Sequence, residues 1–156
     1  MPYATTTDNV KLYYEEAGSG TPILFLHEFA GDCRNWEHQM RYFSRRHRCV
    51  TYSARGYKPS DVPGDWKDYS YKHWASDAVA ILDHLKLDKA HIVGLSMGGY
   101  TTVVMGFLCP QRAHSLTAAG AGSGSERAQT ADFRKSSIAL ADEFKTKGSP
   151  EVVKAY

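Results

Sequence analysis

The 156-residue sequence has only three cysteines, Cys33, Cys49 and Cys109. None belongs to a C-x-x-C pair, so neither a zinc site nor a disulfide framework is indicated. A reducing, cytoplasmic setting is the expectation. Long apolar runs are also missing. The longest near the N-terminus, Ile23-Leu-Phe-Leu26, falls far short of the roughly 20 residues that span a bilayer. The opening Met-Pro-Tyr-Ala-Thr-Thr-Thr has no basic region and no apolar stretch, so no signal peptide is expected there. Charge of one sign is not in excess. Lys and Arg number 19 against 17 Asp and Glu, a formal net charge of +2, too little to imply nucleic acid or another polyanion as partner. The densest basic stretch, Arg41-Tyr-Phe-Ser-Arg-Arg-His-Arg48, reads as the wet face of a helix and the turn after it. No repeat or low-complexity segment occurs. With 42% hydrophobic and 12% aromatic residues, the composition is that of a globular chain able to bury a core of its own.

What is present is an alternation of strand and helix patterns. Tyr3–Thr7 and Val10–Glu16 read as a hairpin. Val10, Leu12 and Tyr14 have the period of a half-buried strand, and Asp8-Asn9 is a turn that tolerates positive φ. Pro22–His27, Cys49–Ser53 and Ala90–Gly94 are short continuous apolar runs, as strands buried on both faces require. Trp36, Met40 and Phe43 predict a helix over 35–45. The clearest helix is 70–86, with Tyr71, Trp74, Ala75, Ala78, Ile81, Leu82 and Leu85 on one stripe. An apolar helix runs from Met97 to about Leu108, where Pro110 stops it. Ala113–Ala121 is a further strand. From Gly122 the sequence turns polar, with weak helical spacing at Phe133, Ile138, Leu140 and Phe144. The fold class that follows is α/β, a mostly parallel sheet with helices on both faces and a leading antiparallel hairpin.

The chemistry centres on Gly94-Leu-Ser96-Met-Gly98. This G-x-S-x-G run lies between a buried strand and a helix, the context the motif needs. A turn that sharp strains residue 96 and sets its side chain at the tip. Residues two before and two after it must be small, and both are glycine. The hydroxyl then sits at the carboxyl end of the sheet, where ligands bind in open α/β folds. The amides opening the next helix, Met97 first, face a developing oxyanion. Lacking the lysine and glycine spacing of a P-loop, the run is a poor phosphate cradle.

With these residues in place, the sequence resembles the α/β-hydrolase superfamily over nearly its whole length. Leu26-His-Glu-Phe-Ala-Gly31 resembles the oxyanion loop after the third strand. Tyr52-Ser-Ala-Arg-Gly-Tyr-Lys-Pro-Ser-Asp61 resembles the family's Asp-x-Arg-Gly-x-Gly-x-Ser segment after the fourth strand. The resemblance implies Ser96 as nucleophile, the N–H groups of Phe29 and Met97 as oxyanion hole, and His27, Gly94 and Gly98 as structural residues beside them. No metal or organic cofactor is implied. Residues 1–121 then form the N-terminal part of the core and 122–156 the start of a cap. Two departures stand out. Glu28 occupies a usual glycine position, where its side chain either faces solvent or sets a carboxylate near the site mouth. Ser53 replaces a structural aspartate. Arg55 is expected to pair within its own loop, with Asp61.

A serine hydroxyl needs a general base and an acid to orient it, and in this family both follow the serine. The only histidine after Ser96 is His114, predicted at the far end of the sheet. The expectation is therefore a fragment whose base and acid lie elsewhere, itself without turnover and with an unpaired edge at strand 113–121. Two functions are carried forward. One is a serine hydrolase of a small-molecule ester or related acyl compound. The other is a non-catalytic, small-molecule-binding relative. A serine at the elbow disfavours haloalkane and epoxide hydrolysis, which use a carboxylate in this superfamily. Substrate identity and oligomeric state are not legible.

Overall fold

The computed structural model describes residues 2–122 and 125–154. Two compact units divide the chain, residues 1–121 and 122–156.

The first unit is built on a six-stranded sheet. Its strands are β1 (Tyr3–Thr5), β2 (Lys11–Ala17), β3 (Pro22–Leu26), β4 (Arg48–Tyr52), β5 (Ala90–Leu95) and β6 (Ala113–Ala119). Their order is β1-β2-β4-β3-β5-β6. β1 and β2 form the expected antiparallel hairpin, and Asn9 takes the positive φ of 64° at its turn. β2 also runs antiparallel to β4, while β4, β3, β5 and β6 are parallel. β6 is the last strand of the sheet; among the described residues no strand pairs with its outer edge, and such an edge favours aggregation.

Both faces of β3 and β4 are buried, β5 is buried at alternate residues and β6 is exposed beyond its first residue; the period of two decides which residue meets which helix. Leu24, Leu26, Val50, Tyr52 and Ile92 pack with Ala75, Ala78, Ile81 and Leu82 of α2 (Tyr71–His84) and Met105 of α3 (Met97–Leu108). Ile23, Phe25 and Cys49 face the opposite way, onto Trp36 and the flank of α1 (Glu37–Phe43). The helix predicted over 35–45 is thus in two pieces. A 3₁₀ turn, Cys33–Trp36, comes first because Asp32 and Asn35 close a capping box around it. Ser70 caps α2 by accepting the His73 N–H.

One expectation is corrected. Arg55 does not pair with Asp61. Its guanidinium donates to Asp77 on α2 at 2.6 and 2.7 Å and to Asp8 at 2.8 and 3.1 Å. Arg55 is 1% exposed, so it needs a carboxylate that is itself buried. Asp77 is fully buried on the core face of α2, whereas Asp61 is exposed and accepts the Lys11 N–H at 2.8 Å.

In the second unit the weak helical pattern becomes α4 (Thr130–Lys147), followed by α5 (Ser149–Val153). Gly148, at φ 78°, separates them. Among the described residues no helix is long and apolar enough to cross a membrane.

Candidate active site

Ser96 joins β5 to α3 with φ 49° and ψ −109°, a region that side-chain-bearing residues avoid at roughly 1–3 kcal/mol. Its neighbours hold it there. The Ser96 N–H donates to the Ala119 carbonyl at the end of β6, at 2.8 Å, and its carbonyl accepts the Tyr100 N–H at 2.9 Å. The flanking glycines are required, though by different partners. A Cβ on Gly94 would run into the Gly98 carbonyl and Thr102 Oγ1. A Cβ on Gly98 would strike Leu26, 2.8 Å from its Cβ and closer still to its carbonyl. Gly94 therefore lets the turn close, and Gly98 lets α3 approach β3.

That approach matters because β3 and β5 are neighbours in register, Leu26 beside Gly94. The segments that follow, 27–29 and 95–97, leave the same sheet end side by side, about 4.8 Å apart at the strands. Met97, Gly98 and Gly99 lie in the first turn of α3, and their N–H groups have no acceptor within the helix. Ser96 is half-buried, and among the described residues no side chain bonds its Oγ. The arrangement can present a hydroxyl to a bound group and set amide donors beside it.

His27 is buried, and its role follows from its bonds. Its Nε2 accepts the Ala54 N–H at 3.0 Å, so that nitrogen carries no proton. Its Nδ1–H then donates to the Glu28 carbonyl at 2.7 Å. Burial lowers the imidazole pKa further. The ring is neutral with both nitrogens committed, which suits a structural residue and leaves nothing to accept a proton from Ser96.

The Glu28–Phe29 peptide is trans, so with its carbonyl turned to His27 its N–H points the opposite way. Among the described residues that N–H has no backbone acceptor. The Phe29 side chain is exposed. Glu28 itself does not face solvent. It is half-buried, its Oε1 accepts from Asn35 Nδ2, and its Oε2 is buried without a protein partner.

Tyr57 was not singled out from the sequence. Its ring stands edge-on to His27 with centroids 4.8 Å apart, and its hydroxyl reaches Met97 Sδ at 3.5 Å. Burial pushes the phenol well above its ordinary range. Its place two residues after Arg55 was the available signal. Between Leu26, His27, Trp74 and Met97 lies a small cavity with room for about one water molecule. His114 lies elsewhere, at the amino end of β6, its ring tilted by 41° against that of His91 with centroids 5.4 Å apart. Six residues of β5 separate that end from the elbow, about 16–20 Å of strand. Among the described residues no group of His, Cys, Asp or Glu is placed to hold a metal ion.

Residues 21–141 match the model of a family described as the alpha/beta hydrolase fold. The chain belongs to the α/β-hydrolase superfamily. A relative of Bacillus subtilis (strain 168), an AB hydrolase superfamily protein named YisY, is 38% identical over 98 residues, 62% of this chain and 36% of the relative. Among solved structures, the enol-lactonase from Burkholderia xenovorans LB400 superposes with a TM-score of 0.83 at 23% identity, covering 99% of this chain and 57% of that one. Est816, described as an N-acyl homoserine lactone degrading enzyme, gives a TM-score of 0.74 at 31% identity, covering 99% of this chain and 63% of that one. The match thus spans about a third of the curated relative and about three-fifths of the solved ones. In this α/β-hydrolase the sheet order and the tight turn between β5 and α3 set Ser96 at the carboxyl end of the parallel strands.

Proposed function

We propose that this chain carries the nucleophile of a serine hydrolase acting on a small-molecule ester or related acyl substrate. The single observation that supports it most is the backbone of Ser96, held at φ 49° with its hydroxyl unpartnered among the described residues. In this reading Ser96 Oγ gives up its proton to a general base and attacks the acyl carbon. The oxyanion lies against the N–H groups of Met97 and Phe29. Collapse expels the alcohol, protonated by the same base, and leaves an acyl-enzyme. Water then releases the acid and restores the hydroxyl. A lactone is a cyclic ester and enters the same steps, which agrees with the name of Est816.

His27 has no free nitrogen for the role of base, and His114 lies at the other end of the sheet. The reading assigns the base and its orienting acid to residues other than those described, and treats this chain as the nucleophile-bearing fragment. A cytoplasmic setting accompanies it, with Cys33, Cys49 and Cys109 all as free thiols. An Oγ without a side-chain partner among the described residues is equally compatible with a second reading, a binding relative without turnover.

One experiment separates the two. The chain is incubated with a fluorophosphonate, with imidazole supplied as external base, and its intact mass is followed. A hydrolase elbow predicts one adduct whose rate rises with imidazole and which Ser96→Ala abolishes. No Ser96-dependent adduct at any imidazole concentration rules out the nucleophile.

A further inference from the structure

We infer that Glu28 is a positioning residue whose carboxylate, tied to Asn35 across Gly31, fixes the peptide that supplies the Phe29 N–H. Its consequence for reactivity rests on the acyl-transfer reading of Ser96; its consequence for the loop does not.

The segment after β3 begins with buried His27 and then exposes Phe29 and Ala30. A stretch that exposed holds one peptide orientation only if it is fastened. It is fastened from both sides. On one side the Ala54 N–H holds His27, and His27 Nδ1–H holds the Glu28 carbonyl. The Gly31 N–H donates to the same carbonyl at 3.3 Å. On the other side the Glu28 carboxylate accepts from Asn35 Nδ2. Asn35 belongs to the capping box that orders the 3₁₀ turn with Asp32, whose carboxylate in turn accepts the Arg34 N–H at 2.8 Å. The side chain of Glu28 therefore ties the start of the loop to the turn that ends it.

Two observations argue that this link is built and not incidental. Gly31 has no room for a Cβ, because Asn35 Nδ2 and Glu28 Oε1 occupy the space one would take. Glu28 also keeps its second oxygen buried with no protein partner. Burying an anionic oxygen is unfavourable, so the link made by the first oxygen must hold the carboxylate inward. A loop with glycine at this position would lack the tie.

The test compares Glu28→Ala, Glu28→Gln and Asn35→Ala with the parent chain, each labelled with ¹⁵N. Amide signals of α2 confirm that the variant is folded. Glu28→Ala and Asn35→Ala are expected to shift or broaden the Phe29 N–H and His27 Nδ1–H signals. Glu28→Gln, which keeps an oxygen for Asn35, restores them. Imidazole-supported phosphonylation of Ser96 should slow at least about tenfold in the two alanine variants and stay within about threefold of the parent in Glu28→Gln. Unmoved Phe29 and His27 signals in a folded alanine variant overturn the inference, as does a Glu28→Gln spectrum as disturbed as that of Glu28→Ala. If Glu28→Ala does not fold, Asn35→Ala decides by the same signals. A parent chain that takes no label at Ser96 refutes the acyl-transfer reading alone, while the signals still judge Glu28.

Discussion

Replacing Arg55 or Asp77 with alanine should cost about 3–5 kcal/mol of stability, the expected loss when one partner of a buried ion pair is removed. Both side chains are almost wholly inaccessible, at 1% and 0% exposed. Arg55→Ala leaves Asp77 inside without its counterpart, and Asp77→Ala leaves buried Arg55 with only the exposed Asp8. Three segments would loosen together, because Arg55 donates to Asp8 at the β1–β2 turn, to Asp77 on α2 and to the Asp68 carbonyl. Replacing both at once, Arg55→Met with Asp77→Leu, removes the stranded charge and should stand closer to the parent than either alanine variant. Urea unfolding followed by circular dichroism measures all three. The pH dependence has a definite sign. Asp8 is held near a pKa of about 2, from 3.8, chiefly by its hydrogen bond to Arg55. Its contribution is full above the unfolded value and is lost as pH falls through about 2. Arg55→Ala should remove that acid-limb contribution.

Gly98→Ala should slow phosphonylation of Ser96 about a hundredfold, the scale of a misplacement of about 1 Å. The added methyl meets backbone on both sides. Leu26 is in a strand paired to β4 and β5, so its carbonyl cannot retreat. The first turn of α3 has to lift away, taking the Met97 N–H and the φ of Ser96 with it. Stability should fall less decisively, by about 1–3 kcal/mol, as overpacking usually costs. The comparison of adduct rate with unfolding midpoint therefore separates a displaced elbow from a generally weakened fold. An unchanged rate would mean that the elbow does not depend on that close approach.

The elbow was legible in the sequence because everything it needs is local. A buried strand, two glycines and an apolar helix fall within Ala90–Leu108, and no distant partner is required to see the turn. The two-face burial of β3 and β4 was legible for the same reason. What escaped was decided by distant contacts. Asp61 is close to Arg55 along the chain, yet the true partners stand 22 and 47 residues away. The signal for Asp77 was there, a charged residue among Ala75, Ala78, Ile81 and Leu82. The need for a small residue at Gly98 was legible, but the neighbour that imposes it is Leu26, which only the β3–β5 register brings near. Glu28 has short-range partners, but the direction of its side chain depends on how the 27–36 segment folds back. Tyr57 touches His27 and Met97 only once β3, β4 and α3 are assembled.

In the proposed chemistry the strained backbone of Ser96 sets its hydroxyl to be acylated beside the amides of Met97 and Phe29. The most direct measurement is a crystal structure of the chain after imidazole-supported phosphonylation. The predicted result is phosphorus bonded to Ser96 Oγ, φ of residue 96 still positive, and the phosphoryl oxygen about 2.7–3.1 Å from the nitrogens of Met97 and Phe29. A phosphonyl group on another residue, or on Ser96 with its oxygen turned away from both amides, would contradict the claim.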